Sequence, residues 1–206
     1  TVVALAAGES HSLALCSDGT VVAWGANSNG QLGDGTTTTR YAGVAVSTTS
    51  GVSALYGKKV VAISAGGSHS MALCSNGTVV SWGLNSSGQL GDNTSTIQRN
   101  VPVAVTTANG ISALFGKTVT GISAGYIHSV ATCSDGTLAA WGSNVFGQAA
   151  VPPATSKQLA PYATPRTALP PAEMYATVVT GPASAHSLAL AATPPPTVTS
   201  LSATAV

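Results

Sequence analysis

Short apolar runs alternate with polar turns along this chain, and no segment keeps a sustained helical period. The segment HSLALCSDGTVVAWG begins at His11, and close copies begin at His69, 58 residues later, and at His128, a further 59 residues along the chain. Both alternating sets of positions in these runs are apolar, which is typical of sheets covered on both faces. The repeat therefore predicts short strands in sheets that stack on one another.

Each copy contains the signals of four strands. A Val/Ala/Ile run ending at glycine comes first, the HSLALC run second and the TVVAWG run third. The fourth is weaker and is predicted at Val44 to Val46 and at Val101 to Val105. Asp-Gly or Asn-Gly separates the second and third runs and predicts a type I′ hairpin turn. A single helical turn is predicted around SALYGK, residues 53–58.

The repeat divides the chain into three parts. Residues 1–150 contain three complete units, and residues 151–191 contain a degenerate, Pro-rich fourth unit or cap that restarts at His186 without a following DGT or WG. Residues 192–206 are rich in Pro and Thr, and we expect a linker or a strand used in assembly.

Composition narrows the classes of function. The chain has 206 residues, of which 6% are charged, and a net charge of +1. Nucleic-acid binding normally needs a basic patch, so we expect no nucleic-acid partner. No apolar run reaches the length of a membrane span, and we expect no membrane insertion. The chain starts within a strand and without a basic leader, from which we expect a mature or excised extracellular or cell-surface protein.

Catalytic and metal-binding chemistry is not predicted. The histidines recur once per unit, and sheet packing keeps equivalent positions about 10 Å apart, too far for a shared metal ion. The cysteines Cys16, Cys74 and Cys133 recur in the same way and are expected to be buried free thiols. Of the six acidic residues, only Glu9 and Glu173 lie outside repeated positions. We expect no enzyme activity and no cofactor.

A longer motif follows each third strand. It reads WGANSNGQLG at Trp24 to Gly33, recurs at Trp82 to Gly91, and is less complete at Trp141 to Gln148. With the preceding Gly-x-x-His and DGT, it resembles the regulator-of-chromosome-condensation repeat. The resemblance implies an all-β propeller of four-stranded antiparallel blades, usually seven in a closed ring around a channel. Known members include a chromatin-bound nucleotide exchange factor, a secreted inhibitor of β-lactamase and many bacterial surface proteins.

About three and a half such blades fit in this chain, which is too few for a seven-membered ring. The remaining blades would lie upstream in the intact protein, or two chains would complete one ring, or the arcs would stack into a polymer. Each alternative covers the apolar faces that an open arc would expose.

Positions at which the units differ predict a binding surface, because scaffold positions must stay alike. The Gly-x-x-His and WGxNxxG loops vary, and the candidate protein-binding residues are Glu9, Tyr126, Ile127, Val145 and Phe146. The apolar four could instead cover the fourth unit. The predicted function is a non-enzymatic extracellular structural or adhesive module that presents loops or self-assembles. The alternative is an inhibitor or receptor module that binds one protein partner.

Asn85 and Asn93 lie in glycosylation sequons within predicted loops. We expect both to be candidate glycan acceptors if the source organism glycosylates its proteins.

Overall fold

The computed structural model describes residues 1–149, 156–164, 174–181 and 188–192, and these residues contain fourteen strands. The first sheet contains β1 (Val2–Ala7), β2 (His11–Cys16), β3 (Val21–Gly25) and β4 (Arg40–Ala45). The second contains β5 (Val60–Ala65), β6 (His69–Cys74), β7 (Val79–Leu84) and β8 (Gln98–Ala104). The third contains β9 (Val119–Ala124), β10 (His128–Cys133), β11 (Leu138–Ser143) and β12 (Lys157–Ala163). β13 (Met174–Val179) and β14 (Leu188–Ala192) form a fourth, two-stranded sheet.

Each four-stranded sheet is an antiparallel meander in which sequence neighbours pair. The all-β prediction of four-stranded antiparallel blades is therefore confirmed. The described residues include no helix, and so none that could cross a membrane. His186 and the segment 193–206 lie outside the described residues.

The hairpin between the second and third strands differs from the predicted type I′ turn. In the first sheet, Gly19 N donates to Cys16 O at 2.9 Å and Cys16 N donates to Thr20 O at 2.9 Å. Gly19 has φ +89°, whereas Asp18 does not have a positive φ. The connection therefore has three residues and needs a left-handed backbone at glycine alone, which is the bulged form of a short hairpin.

The fourth strands begin earlier than predicted. β4 starts at Arg40 and β8 at Gln98, so polar residues open strands that were recognised by their valines alone. β12 pairs with β11, and the third blade thus extends beyond the boundary predicted at residue 150. Residues 53–58 form hydrogen-bonded turns rather than a helical turn.

Consecutive sheets stack face to face. We call the face that a sheet turns toward the next one its trailing face, and the opposite face its leading face. The first core cluster joins the trailing face of the first sheet, including Leu13 and Leu32, to the leading face of the second, including Val80 and Trp82. A second cluster repeats this contact between the second and third sheets, with Trp141 in the place of Trp82. β13 packs against β9 and β10 in the same way, so the fourth sheet takes the next blade position with two strands.

A hydrogen-bond relay crosses each of these two interfaces. Ser70 Oγ donates to the main-chain oxygen of Gln31 at 2.8 Å and lies 2.9 Å from His11 Nε2. The indole of Trp82 donates to the same Gln31 oxygen at 2.9 Å. Because the serine hydroxyl uses its one proton on the carbonyl, His11 must donate from Nε2. Equivalent bonds join Ser129, Gln89, His69 and Trp141 at the next interface.

The glycine three residues before each histidine makes room for its ring. A Cβ at Gly8 would lie 2.3 Å from His11 Cε1, and one at Gly66 would lie 2.3 Å from His69 Cε1. The Gly-x-x-His pattern thus records a packing requirement, since real Cβ atoms do not approach other atoms so closely.

Replacing Ser70 by alanine tests the relay. Ser70→Ala removes the acceptor for the buried His11 Nε2–H and is expected to lower the free energy of unfolding by about 1–3 kcal/mol. Ser12, the equivalent residue on the leading face of the first sheet, is the matched control, and Ser12→Ala should change stability by less than about 0.5 kcal/mol. Urea denaturation measures the free energy of unfolding of both variants. Equal losses of stability in Ser70→Ala and Ser12→Ala would show that the relay does not cause the loss.

Candidate functional site

The variable loops lie together at one end of the stacked sheets, which we call the loop end. It carries the connections between the first and second strands and those between the third and fourth strands of each blade. The two sets are joined by hydrogen bonds, as where Ser143 N donates to Ile127 O at 2.9 Å in the third blade. The short hairpins and the linkers between blades lie at the opposite end.

A buried asparagine organises each long loop. In the first blade, Leu32 N donates to Asn27 Oδ1 at 3.0 Å, and Asn27 Nδ2 donates to Asp34 Oδ1 and to Thr38 O, each at 3.1 Å. One side chain therefore ties the start, the middle and the end of the loop. The same amide recurs as Asn85 in the second blade, where Leu90 N donates to its Oδ1 at 3.0 Å.

The repeated aspartates support these loops. Arg40 forms an ion pair with Asp34 at 2.7 Å, and Arg99 forms one with Asp92 at 3.1 Å. Burial opposes ionisation of Asp34, but hydrogen bonds from Thr36 and Arg40 prevail and hold the pKa of its carboxyl below the usual value. Both aspartates are thus explained by loop structure, as their recurrence in the sequence indicates.

The long loop of the third blade presents an aromatic side chain on a fixed backbone. Gln148 Oε1 accepts a hydrogen bond from Phe146 N at 2.8 Å, and Ala149 N donates to Asn144 Oδ1 at 3.1 Å. The Phe146 side chain is nevertheless 79% exposed, and that of Val145 is 65% exposed. Ser28 and Asn29, or Ser86 and Ser87, occupy these positions in the other blades.

Tyr126 and Ile127 are less exposed than Val145 and Phe146, although Tyr126 is still 42% exposed. The Tyr126 ring lies against Gly67, where an added Cβ would be 2.6 Å from Tyr126 Cδ2. Gly67 N also donates to Tyr126 O at 3.1 Å, so this residue helps to join the second blade to the third. Ile127 is half-buried. Val145 and Phe146 therefore form the more accessible part of the predicted surface.

The remaining loop-end residues are more scattered. Glu9 is exposed in the first blade and is separated from Tyr126 by the connection at Gly67 of the second blade. Comparing the repeated units of the sequence did not identify Ile97, whose side chain is 71% exposed just before β8. The positions of Thr38 and Ser156 correspond to it in the other blades, and aligning the fourth strands by register would have revealed the apolar exception.

The two candidate glycosylation sites differ sharply in exposure. Asn85 is 1% exposed, and its amide nitrogen faces Asp92 Oδ1 at 3.3 Å inside the loop. The Asn85 prediction is therefore inconsistent with the folded loop, because a glycan on this nitrogen would have to occupy packed space. Asn93 is exposed at the loop surface with φ +58° and stays a prediction.

The histidines form an internal column rather than a metal site. His11 and His69 use Nε2 for the serine relay. No group of three or more His, Cys, Asp or Glu that could hold a metal ion occurs among the described residues. The three cysteines are free, as predicted. Cys74 and Cys133 are also buried, but Cys16 is partly exposed, and the prediction that it is buried was wrong, because it lies on the leading face of the first sheet.

Comparison with known families matches the repeats. Residues 2–31, 60–89 and 119–148 match one description of the regulator of chromosome condensation (RCC1) repeat, and residues 18–73 and 76–132 match a second. The human probable E3 ubiquitin-protein ligase HERC6 is 36% identical over 157 residues, which are 76% of this chain and 14% of that protein. The ultraviolet-B receptor UVR8 of Arabidopsis thaliana is 34% identical over 149 residues, 71% of this chain and 31% of the receptor.

Solved structures share the fold. Human WBSCR16 aligns with a TM-score of 0.77 and 23% identity, over 93% of this chain and 45% of its own. Prp20p of Saccharomyces cerevisiae aligns with a TM-score of 0.68 and 24% identity, over 87% of this chain and 42% of its own. This chain thus spans less than half the length of each of these relatives and structures.

The buried histidines predict that stability falls in mild acid. Burial lowers the pKa of His11 to about 4, and burial together with repulsion from His11 and His128 lowers that of His69 to about 3. The unfolded chain therefore binds more protons below pH 6.5, and the free energy of unfolding should drop as pH falls from 6.5 toward 4.

Urea denaturation at pH 7, 6 and 5 measures this loss of stability at pH values above those at which carboxylates titrate. His69→Gln removes one titrating group and should reduce the pH slope by about 1.4 kcal/mol per pH unit, whatever its effect on stability at pH 7. An unfolding free energy that stays constant from pH 7 to 5 would contradict the buried neutral histidines.

Proposed function

Because this chain belongs to the regulator of chromosome condensation (RCC1) repeat family, we propose that it is a non-catalytic module that binds protein through its loop end. The observation that carries this proposal is Phe146, whose side chain is 79% exposed while its backbone is held by Gln148. An exposed aromatic group on a fixed backbone loses little entropy on binding and is typical of the anchors of protein interfaces.

Relatives with this fold support a protein partner. A structure of yeast Prp20 contains bound Kap60, and binding of Prp20p to Gsp1p and histones has been characterised. The present chain carries a net charge of +1 and pairs two of its arginines with aspartates inside the loops. Such a surface is poorly suited to a strongly acidic partner, and we propose that the partner is recognised mainly through apolar contact.

The proposed setting is extracellular or at a bacterial cell surface, where the module would have a structural or adhesive role. Low charge and abundant Ser, Thr and Gly support this setting, as does the family resemblance of the repeat to bacterial surface proteins. The sequence also predicts self-assembly as a form of the structural role. Protein binding through the loop end does not require self-assembly.

One observation favours the alternative of an inhibitor or receptor module with a single partner. The exposed apolar pair Val145 and Phe146 occurs in the third blade alone of the three complete blades, since the equivalent positions in the others are polar. A repetitive adhesive surface would be expected to repeat its anchor. The stoichiometry of the complex distinguishes the two roles, because a single anchor predicts one partner per chain.

Loop variants test the proposed surface. Immobilised chain is exposed to the secreted and surface proteins of the source organism, and each bound protein is purified and titrated by calorimetry. Phe146→Ser should weaken a loop-end partner at least tenfold, which corresponds to about 1.4 kcal/mol. Phe115→Ser is the matched control, because Phe115 is also exposed but lies in a linker at the opposite end.

A partner whose affinity is unchanged by Phe146→Ser and Val145→Ser, but reduced by Phe115→Ser, would place binding at the opposite end and overturn the proposal. Loss of affinity in all variants alike would indicate unfolding, which circular dichroism of each variant checks.

A further inference from the structure

Three Asn-Gly pairs occur in the chain, at Asn29-Gly30, Asn76-Gly77 and Asn109-Gly110. Asparagine followed by glycine is especially prone to spontaneous deamidation, because glycine has no side chain to keep its main-chain nitrogen away from the asparagine amide. The first pair lies in a long loop, the second in a hairpin and the third in the linker between the second and third blades. Their surroundings decide which of them can react in the folded protein.

Deamidation needs a main-chain nitrogen that can reach the side-chain amide. The glycine nitrogen loses its proton to base in the solvent and attacks Cγ of the preceding asparagine. A bond forms between these two atoms, the Cγ–Nδ2 bond breaks, and Nδ2 leaves as ammonia after taking up a proton from water. Water then opens the resulting succinimide ring at either of its carbonyl carbons. Opening at Cγ gives aspartate, whereas opening at the main-chain carbon gives isoaspartate, in which the chain runs through the side chain.

The Asn-Gly pair in the first long loop is enclosed. Gly30 is buried, and a Cβ added to it would lie 2.6 Å from Asn100 Cα of the next blade. Gly30 N donates a hydrogen bond to Asn27 O at 2.9 Å. The attacking nitrogen is therefore occupied, and the neighbouring main chain leaves no room for the pair to rearrange into a ring.

The Asn-Gly pair in the hairpin of the second blade is held by hydrogen bonds, although Asn76 is exposed. Gly77 N donates to Cys74 O at 2.9 Å, and Thr78 N donates to Asn76 Oδ1 at 3.1 Å. The first of these bonds closes the turn between β6 and β7. Attack by the Gly77 nitrogen therefore requires this turn to open first.

The Asn-Gly pair in the linker is open to solvent. Asn109 and Gly110 are both exposed, and a Cβ added to Gly110 would meet nothing within 4 Å. No described residue accepts a hydrogen bond from Gly110 N, and none bonds to the Asn109 side chain. The nitrogen and the amide carbon of this pair can therefore approach each other without the loss of a bond made by either group.

Two hydrogen bonds span this pair in the linker. Ile111 N donates to Ala108 O at 3.2 Å, and Ser112 N donates to the same oxygen at 3.0 Å. Isoaspartate places an additional carbon atom in the main chain between these partners, so the two bonds cannot both keep their length. Formation of isoaspartate therefore changes the shape of the turn as well as its charge.

The linker beyond this turn is firmly attached to the third blade. Ala113 N donates to Pro161 O of β12 at 2.9 Å, and Leu114 is buried in the second core cluster. Residues 110–113 and 161–163 line an open groove of about 360 Å³. Because Ala113 and Leu114 are attached independently of the turn, the change is confined to the turn and to this groove, and the stacking of the blades is preserved.

We infer that Asn109 is a site of spontaneous modification, at which deamidation through a succinimide gives aspartate and isoaspartate while the fold protects the other two Asn-Gly pairs. The modification replaces a neutral amide by a carboxylate. It lies at the end of the blades opposite to the loop end, so the inference does not depend on which protein the loop end binds.

Ageing of the folded chain at pH 8 tests this inference. Trypsin separates the three Asn-Gly pairs, because cleavage after arginine and lysine gives the peptides 1–40, 60–99 and 100–117. Mass spectrometry with fragmentation measures the exchange of amide for carboxylate at each asparagine. We expect Asn109 to react about tenfold faster than Asn76, because the hairpin must first lose the hydrogen bond from Gly77 N. Asn29 should react more slowly still.

Two controls separate the effect of the fold from that of the Asn-Gly sequence. In guanidinium chloride the fold is lost, and the three pairs should react at similar rates. Asn109→Ser is the matched variant, because Ser50 stands at the equivalent position of the first linker, and it should remove the modification from peptide 100–117. Endoproteinase Asp-N cleaves before aspartate but not before isoaspartate, and thus distinguishes the two products.

Three results would overturn the inference. The first is an equal or faster reaction of Asn76 than of Asn109 in the folded chain. The second is a folded chain in which Asn109 stays unreacted while the chain in guanidinium chloride reacts. The third is an aged peptide 100–117 without isoaspartate, since only the succinimide route produces it.

Discussion

The fold depends on one main-chain oxygen per interface. The Gln31 carbonyl accepts from Ser70 and from the Trp82 indole, and Ser70 in turn meets His11. Two side chains of the second blade thereby bond to one peptide group of the first, and His11 joins them through Ser70. The setting is buried, and leaving any of these groups unpaired would cost about 1–3 kcal/mol. The relay fixes the spacing and the rotation of one sheet on the next, which apolar contact alone would specify less sharply.

Fixing the sheets in this way leaves their loop end free to vary. Gln31 and Gln89 each offer a main-chain oxygen to the next blade. Their side chains also hold the tips of their long loops, through Asn29 N and Ser87 N, as Gln148 holds Phe146 N in the third blade. Loop tips are thus anchored by residues whose place is set by the interface between blades. The loop position that holds Ser87 in the second unit holds Phe146 in the third. Such a difference changes the exposed side chain and leaves the supporting glutamine unchanged.

The sequence predicted the blade, because the apolar alternation and the repeat of 58 or 59 residues are local signals. It did not predict that His11 meets a serine 59 residues away, since that contact depends on the register between two sheets. Nor could it show that Asn85 turns inward, because sequons report residue type and not side-chain direction. Nor did it predict that the Tyr126 ring packs against Gly67, because Gly67 lies in another blade.

Equivalent contacts at successive interfaces make the complete units interchangeable. At both interfaces between complete blades, the later blade contributes a serine and a tryptophan and the earlier blade contributes a histidine and a glutamine carbonyl. Duplicating or deleting one whole unit would therefore preserve the contacts at every interface between complete blades. Deleting part of a unit would remove contacts on both of its sides. The fourth unit has neither a tryptophan nor the glutamine loop, so it differs from the complete units in the groups that it can offer to a neighbouring blade. The arrangement thus has polarity, with chemically distinct beginnings and ends.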